Sequence, residues 1–201
     1  PEMEKNMGKI FYLMGKSASG KDTLYRRLME ELPLRTIVPY TTRPLREGEE
    51  NGREYHFVGE AGLARLRAQG RVIECRTYQT VHGPWSYFIV DDGQVNLAQA
   101  SYLVIGTLES YIKMQQYYGS EALVPIYIYV EDGERLQRAL NRERLQSVPR
   151  YAELCRRFLA DEEDFSGEKL RNAGITRSYS NQDAECCLKN IKETMKIECE
   201  V

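Results

Sequence analysis

Met14-Gly15-Lys16-Ser17-Ala18-Ser19-Gly20-Lys21-Asp22-Thr23 follows an apolar run, Ile10-Phe11-Tyr12-Leu13, and precedes Leu24, Leu28 and Leu32 at helical spacing. An apolar run, a glycine-rich turn and then a 3.6-residue periodicity place this stretch at a strand-to-helix junction. Gly15 and Gly20 let the backbone curl so that successive N–H groups converge. The helix N-terminus adds partial positive charge, and Lys21 is placed to reach the outer phosphates of a nucleotide. Gly15, Ser17, Ser19, Gly20, Lys21, Asp22 and Thr23 are the residues expected on the nucleotide. A tight turn with a helix-capping lysine would not require glycines, serines and lysine to coincide.

One position departs from the pattern. The residue after the lysine is usually Ser or Thr, whose hydroxyl ligates Mg²⁺; here it is Asp22, with Thr23 one place later. A carboxylate in the first helical turn is favoured by the helix dipole. Asp22 therefore either holds the metal through water or caps the helix, and both readings stay open.

Working outward, Arg35-Thr36-Ile37-Val38 reads as a short strand, and Glu60 to Gln69 as a helix with Leu63 and Leu66 inward and Gly70 beyond its end. Val72 to Tyr78 and Tyr87 to Val90 read as strands on either side of a Gly83-Pro84 turn. Tyr102-Leu103-Val104-Ile105 and Pro125-Ile126-Tyr127-Ile128-Tyr129-Val130 are near-continuous apolar runs, typical of strands covered on both faces. Helices are expected over Leu108 to Tyr118 and Glu131 to about Leu145. Another is expected over Tyr151 to Phe165, with Leu154, Phe158 and Leu159 inward. Ile175 to Tyr179 reads as a last strand and Asp183 to about Lys196 as a closing helix. The alternation predicts an α/β fold, a parallel sheet with helices on both faces, whose ligands bind at the carboxyl ends of the strands.

The chain has 201 residues, 29% of them charged, with a formal net charge of −2. That length fits one domain, or one with an insertion. The charge argues against a nucleic-acid partner, so any anionic ligand must be met by local arginines. Five cysteines with no CxxC spacing and two separated histidines favour neither a disulfide framework nor a metal cluster, and suit a reducing, cytoplasmic setting. No run has the length of a membrane span, and residues 1–7 read as a short mobile lead-in.

The second informative stretch is Tyr40-Thr41-Thr42-Arg43-Pro44-Leu45-Arg46-Glu47-Gly48-Glu49-Glu50-Asn51-Gly52-Arg53-Glu54-Tyr55-His56-Phe57. Arg43, Arg46 and Tyr55 would make a phosphate clamp, since guanidinium groups meet phosphate oxygens bidentately and a tyrosine hydroxyl adds a neutral donor. Together with the glycine-rich loop and the strand containing Glu74 in Val-Ile-Glu-Cys, this stretch resembles guanylate kinase and its nearest nucleoside monophosphate kinase relatives, over about Lys9 to Met195.

The resemblance implies a P-loop NTPase-type parallel sheet core (1–37 and 91–201), a mixed α+β monophosphate-binding insertion (38–90) and a helical lid at about 132–150. It implies transfer of the γ-phosphoryl of ATP, with Mg²⁺, to a nucleoside monophosphate, GMP first, by a monomer or homodimer with no nucleic-acid or membrane partner. Arg43, Arg46 and Tyr55 match acceptor-phosphate ligands, and Glu74 the carboxylate that reads the guanine edge. Lys21, Arg138, Arg142 and Arg157 match catalytic cations, with Arg144 or Arg156 as substitutes for the last, and Asn181 matches a nucleotide-contacting asparagine.

Three departures bear on the acceptor. Pro39 stands where the family has a base-reading serine, Val81-His82-Gly83 followed by Pro84 where it has a Tyr-Tyr-Gly turn and a small hydroxyl residue, and Val104-Ile105-Gly106-Thr107-Leu108-Glu109 where it has a strand ending in aspartate. His82 or Glu109 could stand in beside Glu74. Other monophosphates, a small phosphorylated acceptor, or a non-catalytic module binding phosphopeptides through Arg43, Arg46 and Tyr55 are the alternatives.

Overall fold

The computed structural model describes residues 7–80 and 82–200. Residues 1–6 of the expected lead-in over 1–7, and Val81 of the turn before Gly83, lie outside the described residues. In chain order the elements are β1 (Ile10–Gly15), α1 (Lys21–Glu31), β2 (Arg35–Thr36), β3 (Tyr40–Thr41), β4 (His56–Phe57), α2 (Gly59–Ala68), β5 (Val72–Thr80) and β6 (Gly83–Val90). They continue as β7 (Tyr102–Ile105), α3 (Leu108–Tyr118), β8 (Leu123–Tyr129), α4 (Asp132–Arg144), α5 (Tyr151–Asp164), α6 (Gly167–Asn172), β9 (Ser178–Ser180) and α7 (Ala184–Glu200).

The core is a parallel sheet of order β2-β7-β1-β8-β9, with Ile10 opposite Tyr102 on one side and Leu123 on the other. Its central strand β1 is buried throughout, and its side chains divide by parity as a pleated strand requires. Ile10, Tyr12 and Met14 join Leu108, Tyr111 and Met114 of α3 on one face. Phe11 and Leu13 join Leu24 and Leu28 of α1 and Leu188 and Ile191 of α7 on the other. Both faces are thus covered, and an amphipathic strand could not occupy this place.

Residues 40–90 build a separate four-stranded sheet of order β4-β3-β6-β5, in which β5 and β6 form a long antiparallel hairpin. Helix α2 places Leu63 and Leu66 on Phe88 and Val90 to give this sheet its own small core. No helix among the described residues is long and apolar enough to cross a membrane.

Several expected elements shift. The strand expected over Arg35 to Val38 keeps only Arg35–Thr36 in the ladder, because Val38 gives its N–H and C=O to the Gln94 side chain instead. Leu159 is exposed (68%) rather than inward. The inner line of α5 runs through Leu154 and Phe158, both half-buried; Phe158 lies under the Arg135 guanidinium, and the next residue is carried round to solvent. Helix α6 was not expected from the pattern, and it starts where the Ser166 hydroxyl accepts from Lys169 N–H.

Gly106, just past β7, owes its identity to Tyr12. A methyl group there would overlap the Tyr12 hydroxyl, with Cζ only 2.9 Å away, and Tyr12 is itself fully buried. The space beside Gly106 is filled from the neighbouring strand by the Tyr12 phenol. Gly106→Ala is expected to destabilise the fold by about 1–3 kcal/mol through overpacking. Chemical unfolding checks it; an unshifted midpoint would show that Tyr12 has room to move.

Candidate active site

The loop between β1 and α1 is held in place from behind. Gly20 sits at φ 84°, in the left-handed region that turns the chain into the helix, and a side chain on it would run into the Asn181 amide. That amide donates to the Ser19 carbonyl at 2.7 Å, while Asn181 N–H donates to the Tyr129 carbonyl. Asn181 thus supports the loop from its rear, with its side-chain nitrogen spent on backbone. Ser19 Oγ is buried without a hydrogen-bond partner.

The front of the loop meets α4 and α5. Arg135, the largest fully buried side chain among the described residues, donates to the Ser17 carbonyl at 3.0 Å. It also pairs with Asp132 (2.8 Å), Glu162 (2.8 Å) and Asp161 (3.5 Å). Asp161 in turn accepts the Ser17 N–H at 2.8 Å, and Lys16 Nζ bridges Glu162 (2.6 Å) and Asp132 (3.3 Å). Sequence reasoning missed Lys16, Arg135, Asp161 and Glu162 as a unit. The signal lay in Ala-Asp-Glu-Glu-Asp at 160–164, an acidic run that reads on its own as a solvated helix face.

Burial lowers the basicity of the Lys21 ammonium; Asp22 and Asp161 oppose that, and Arg157 and Arg142 add to it. The lysine, both carboxylates and two of the expected catalytic arginines therefore share one electrostatic neighbourhood. Arg142 and Arg157, with Arg135, Arg150 and Ser17, line a cavity of about 210 Å³ between α4 and α5. Arg138 lies apart, pairing with Glu134 at 2.9 Å and donating to the Asn181 carbonyl at 3.2 Å. Arg156 pairs with Glu153 and Arg144 is exposed.

A larger cavity of about 500 Å³ opens between the two sheets. The core sheet contributes Tyr12, Val104 and Ile105, and the second sheet contributes Glu74, Arg76 and Tyr87, with Pro39, Arg53 and Tyr55 from the connecting segments. Of the expected acceptor residues it gathers Tyr55 and Glu74. Arg43 sits just behind, its guanidinium 5.2 Å from the Tyr55 ring centre and 5.1 Å from that of Phe57. Arg46 and His82 lie on Trp85 in a separate shallow cleft. Glu109 pairs with Lys113 in the first turn of α3.

Two carboxylates in this region are already engaged. Glu49 forks Arg43 at 2.6 and 2.7 Å and accepts the Arg46 N–H at 2.9 Å. Glu74, buried, is forked by Arg76 at 3.1 and 3.2 Å. Arg76 escaped the sequence reading because a lone arginine on a strand carries no spacing signal.

The Arg43 hydrogen bonds hold the Glu49 carboxyl down at about 2, against an ordinary value of 4.5. A lowered folded-state value means the contribution to stability is complete above the unfolded value and fades as pH falls through about 2. Carbon-detected titration should find Glu49 still ionised at pH 3, whereas a midpoint in the ordinary carboxylate range would dissolve the pair.

A family model described as guanylate kinase matches residues 7–165. The guanylate kinase of Oleidesulfovibrio alaskensis is 43% identical over 93 residues, 46% of this chain and 44% of that protein. The Neisseria gonorrhoeae enzyme of the same name is 42% identical over 99 residues, 49% and 46% of the two chains. The chain thus spans about half the length of the curated relatives it matches. The crystal structure of guanylate kinase from Anaplasma phagocytophilum has the same fold, with a TM-score of 0.66 at 23% identity, covering 98% of this chain and 88% of that one. With residues 7–165 matched, most of its length, the chain belongs to the guanylate kinase family.

Proposed function

We propose that the chain transfers the γ-phosphoryl group of ATP to a nucleoside monophosphate, with GMP as the first acceptor. The observation that carries this is the pairing of two halves. A glycine-rich loop with Lys21 at a helix N-terminus faces arginines of α4 and α5, while a 500 Å³ cavity lined by Tyr55 and Glu74 opens at the carboxyl edge of the same sheet. Family membership and the guanylate kinase names of its relatives support the reading.

An acceptor phosphate is already an anionic oxygen nucleophile at neutral pH, so the protein needs no general base. Its task is to place two phosphates in line and to neutralise charge as it moves onto the transferring group. Lys21 would bind the outer phosphates of ATP, and Arg142 and Arg157 would meet the transferring group. Tyr55 and Arg43 would hold the acceptor phosphate, with Arg43 leaving Glu49 to do so; Arg46 would join them only by moving off Trp85. Positioning of this kind can remove about 7–11 kcal/mol from a barrier.

The residues fit a nucleotide-borne Mg²⁺. Among the described residues no group of three His, Cys, Asp or Glu could hold a metal, but Mg²⁺ carried by phosphates needs only one or two protein oxygens and keeps its waters. Asp22, exposed in the first turn of α1, offers one. Bound there, the metal would neutralise charge on the β- and γ-phosphate oxygens.

ADP release from ATP, coupled to a detecting reaction, should appear only when a monophosphate is added, and fastest with GMP or dGMP among GMP, dGMP, AMP, UMP, CMP and dTMP. Lys21→Met should lower that rate by 100-fold or more, about 2.7 kcal/mol or more of lost transition-state stabilisation. ATP consumption indifferent to every monophosphate would refute the reading. Unchanged binding of an acidic peptide by the Lys21→Met protein would favour a non-catalytic module. Asp22→Ser should shift the Mg²⁺ concentration needed for half-maximal rate; an unmoved requirement would leave Asp22 as a helix cap.

A further inference from the structure

Glu74 and Arg76 stand two residues apart on β5 and so share the face that looks into the large cavity. Arg76 donates from Nε to Oε2 and from Nη2 to Oε1, a side-on fork that takes the facing lone pairs of both carboxylate oxygens. Those are the lone pairs that two adjacent N–H groups of guanine would need. The Glu74 side chain is 0% exposed and that of Arg76 is 19% exposed. What the cavity meets is a cation backed by a buried anion.

A guanidinium has five N–H groups in one plane. Nε and one hydrogen of Nη2 serve Glu74, and Nη1 makes no hydrogen bond to the described residues. The end-on edge, one hydrogen from each terminal nitrogen, therefore remains for a pair of acceptors lying side by side. Guanine carries such a pair in O6 and N7, whereas adenine sets an N6 amino donor beside N7.

We infer that Arg76 reads the acceptor base, through O6 and N7, and that Glu74 is its positioning residue, holding the guanidinium in plane rather than touching the base. This rests on the proposed phosphoryl transfer to a purine monophosphate. It separates from recognition by Glu74 at the 2-amino group, because hypoxanthine keeps O6 and N7 and lacks only that amino group.

Initial rates of the intact chain with GMP, IMP, 7-deaza-GMP and AMP test it. IMP should be used within about fivefold of GMP, and 7-deaza-GMP, which lacks the N7 acceptor, should lose about tenfold or more in kcat/KM, as expected for one lost hydrogen bond to a charged group. Arg76→Met should collapse the preference for GMP over AMP, while Glu74→Gln, which can still accept from Arg76, should raise KM for GMP and IMP by the same factor. IMP used more than tenfold worse than GMP, with 7-deaza-GMP used as well as GMP, would return base reading to Glu74 and overturn the inference. So would an Arg76→Met protein that keeps its GMP-over-AMP ratio. If Arg76→Met does not fold, the unsubstituted chain with the four nucleotides decides alone. Turnover of no monophosphate at all would instead refute the phosphoryl-transfer reading, and the inference would fall with it.

Discussion

One buried guanidinium ties two helices to the loop that follows the central strand. Arg135 is 1% exposed, and it can be so only because Asp132, Asp161, Glu162 and the Ser17 carbonyl meet its N–H groups while Phe158 covers its flat face. These partners come from α4, α5 and the loop after β1. Withdrawing α5 would strip Arg135 of two of its three carboxylates, and breaking a buried pair by removing a partner costs about 3–5 kcal/mol. The interaction sets the angle at which α4 and α5 stand over the loop, and with it the position of the arginines they carry.

The cavity between the sheets follows a similar logic at the other end of the site. Its polar groups are paired within the protein: Arg76 with Glu74 and, just behind, Arg43 with Glu49. Paired charges keep their geometry, since each guanidinium is fixed by a carboxylate and not by water, and a fixed fork discriminates better than a mobile one. The Tyr12 phenol, pushed up by burial, remains a neutral hydroxyl beneath this pair. The space beside Gly106 belongs to Tyr12, so the core sheet offers the cavity a neutral wall.

Much of the architecture was legible because it rests on local periodicity. Apolar runs such as Tyr102 to Ile105 can only be strands covered on both sides, and Gly15 to Lys21 can only be a tight loop opening a helix. The long-range electrostatics were not legible. The partners of Arg135 are 3, 26 and 27 residues away, and no spacing rule connects α4 and α5 to the loop they meet. Leu159 shows the limit on the local scale: one residue of helix rotation decides between core and solvent, and the neighbour that decided it was Arg135 over Phe158. Among the expected site residues, Tyr55 and Glu74 reach the cavity, while Arg46 and His82 are drawn to Trp85, whose indole offered no sequence clue to that role.

The Asp161 carboxylate on the Ser17 N–H gives the loop the character of an exchange site. Its outer N–H already holds an anionic oxygen, so an arriving anion gains only the difference between two similar hydrogen bonds, plus whatever Lys21 and the surrounding arginines add. Affinity at such a site is set less by the cradle than by the ease with which α5 gives up its carboxylate. One N–H of the loop, that of Ser17, already faces a carboxylate, and an anion reaching it displaces Asp161 of α5.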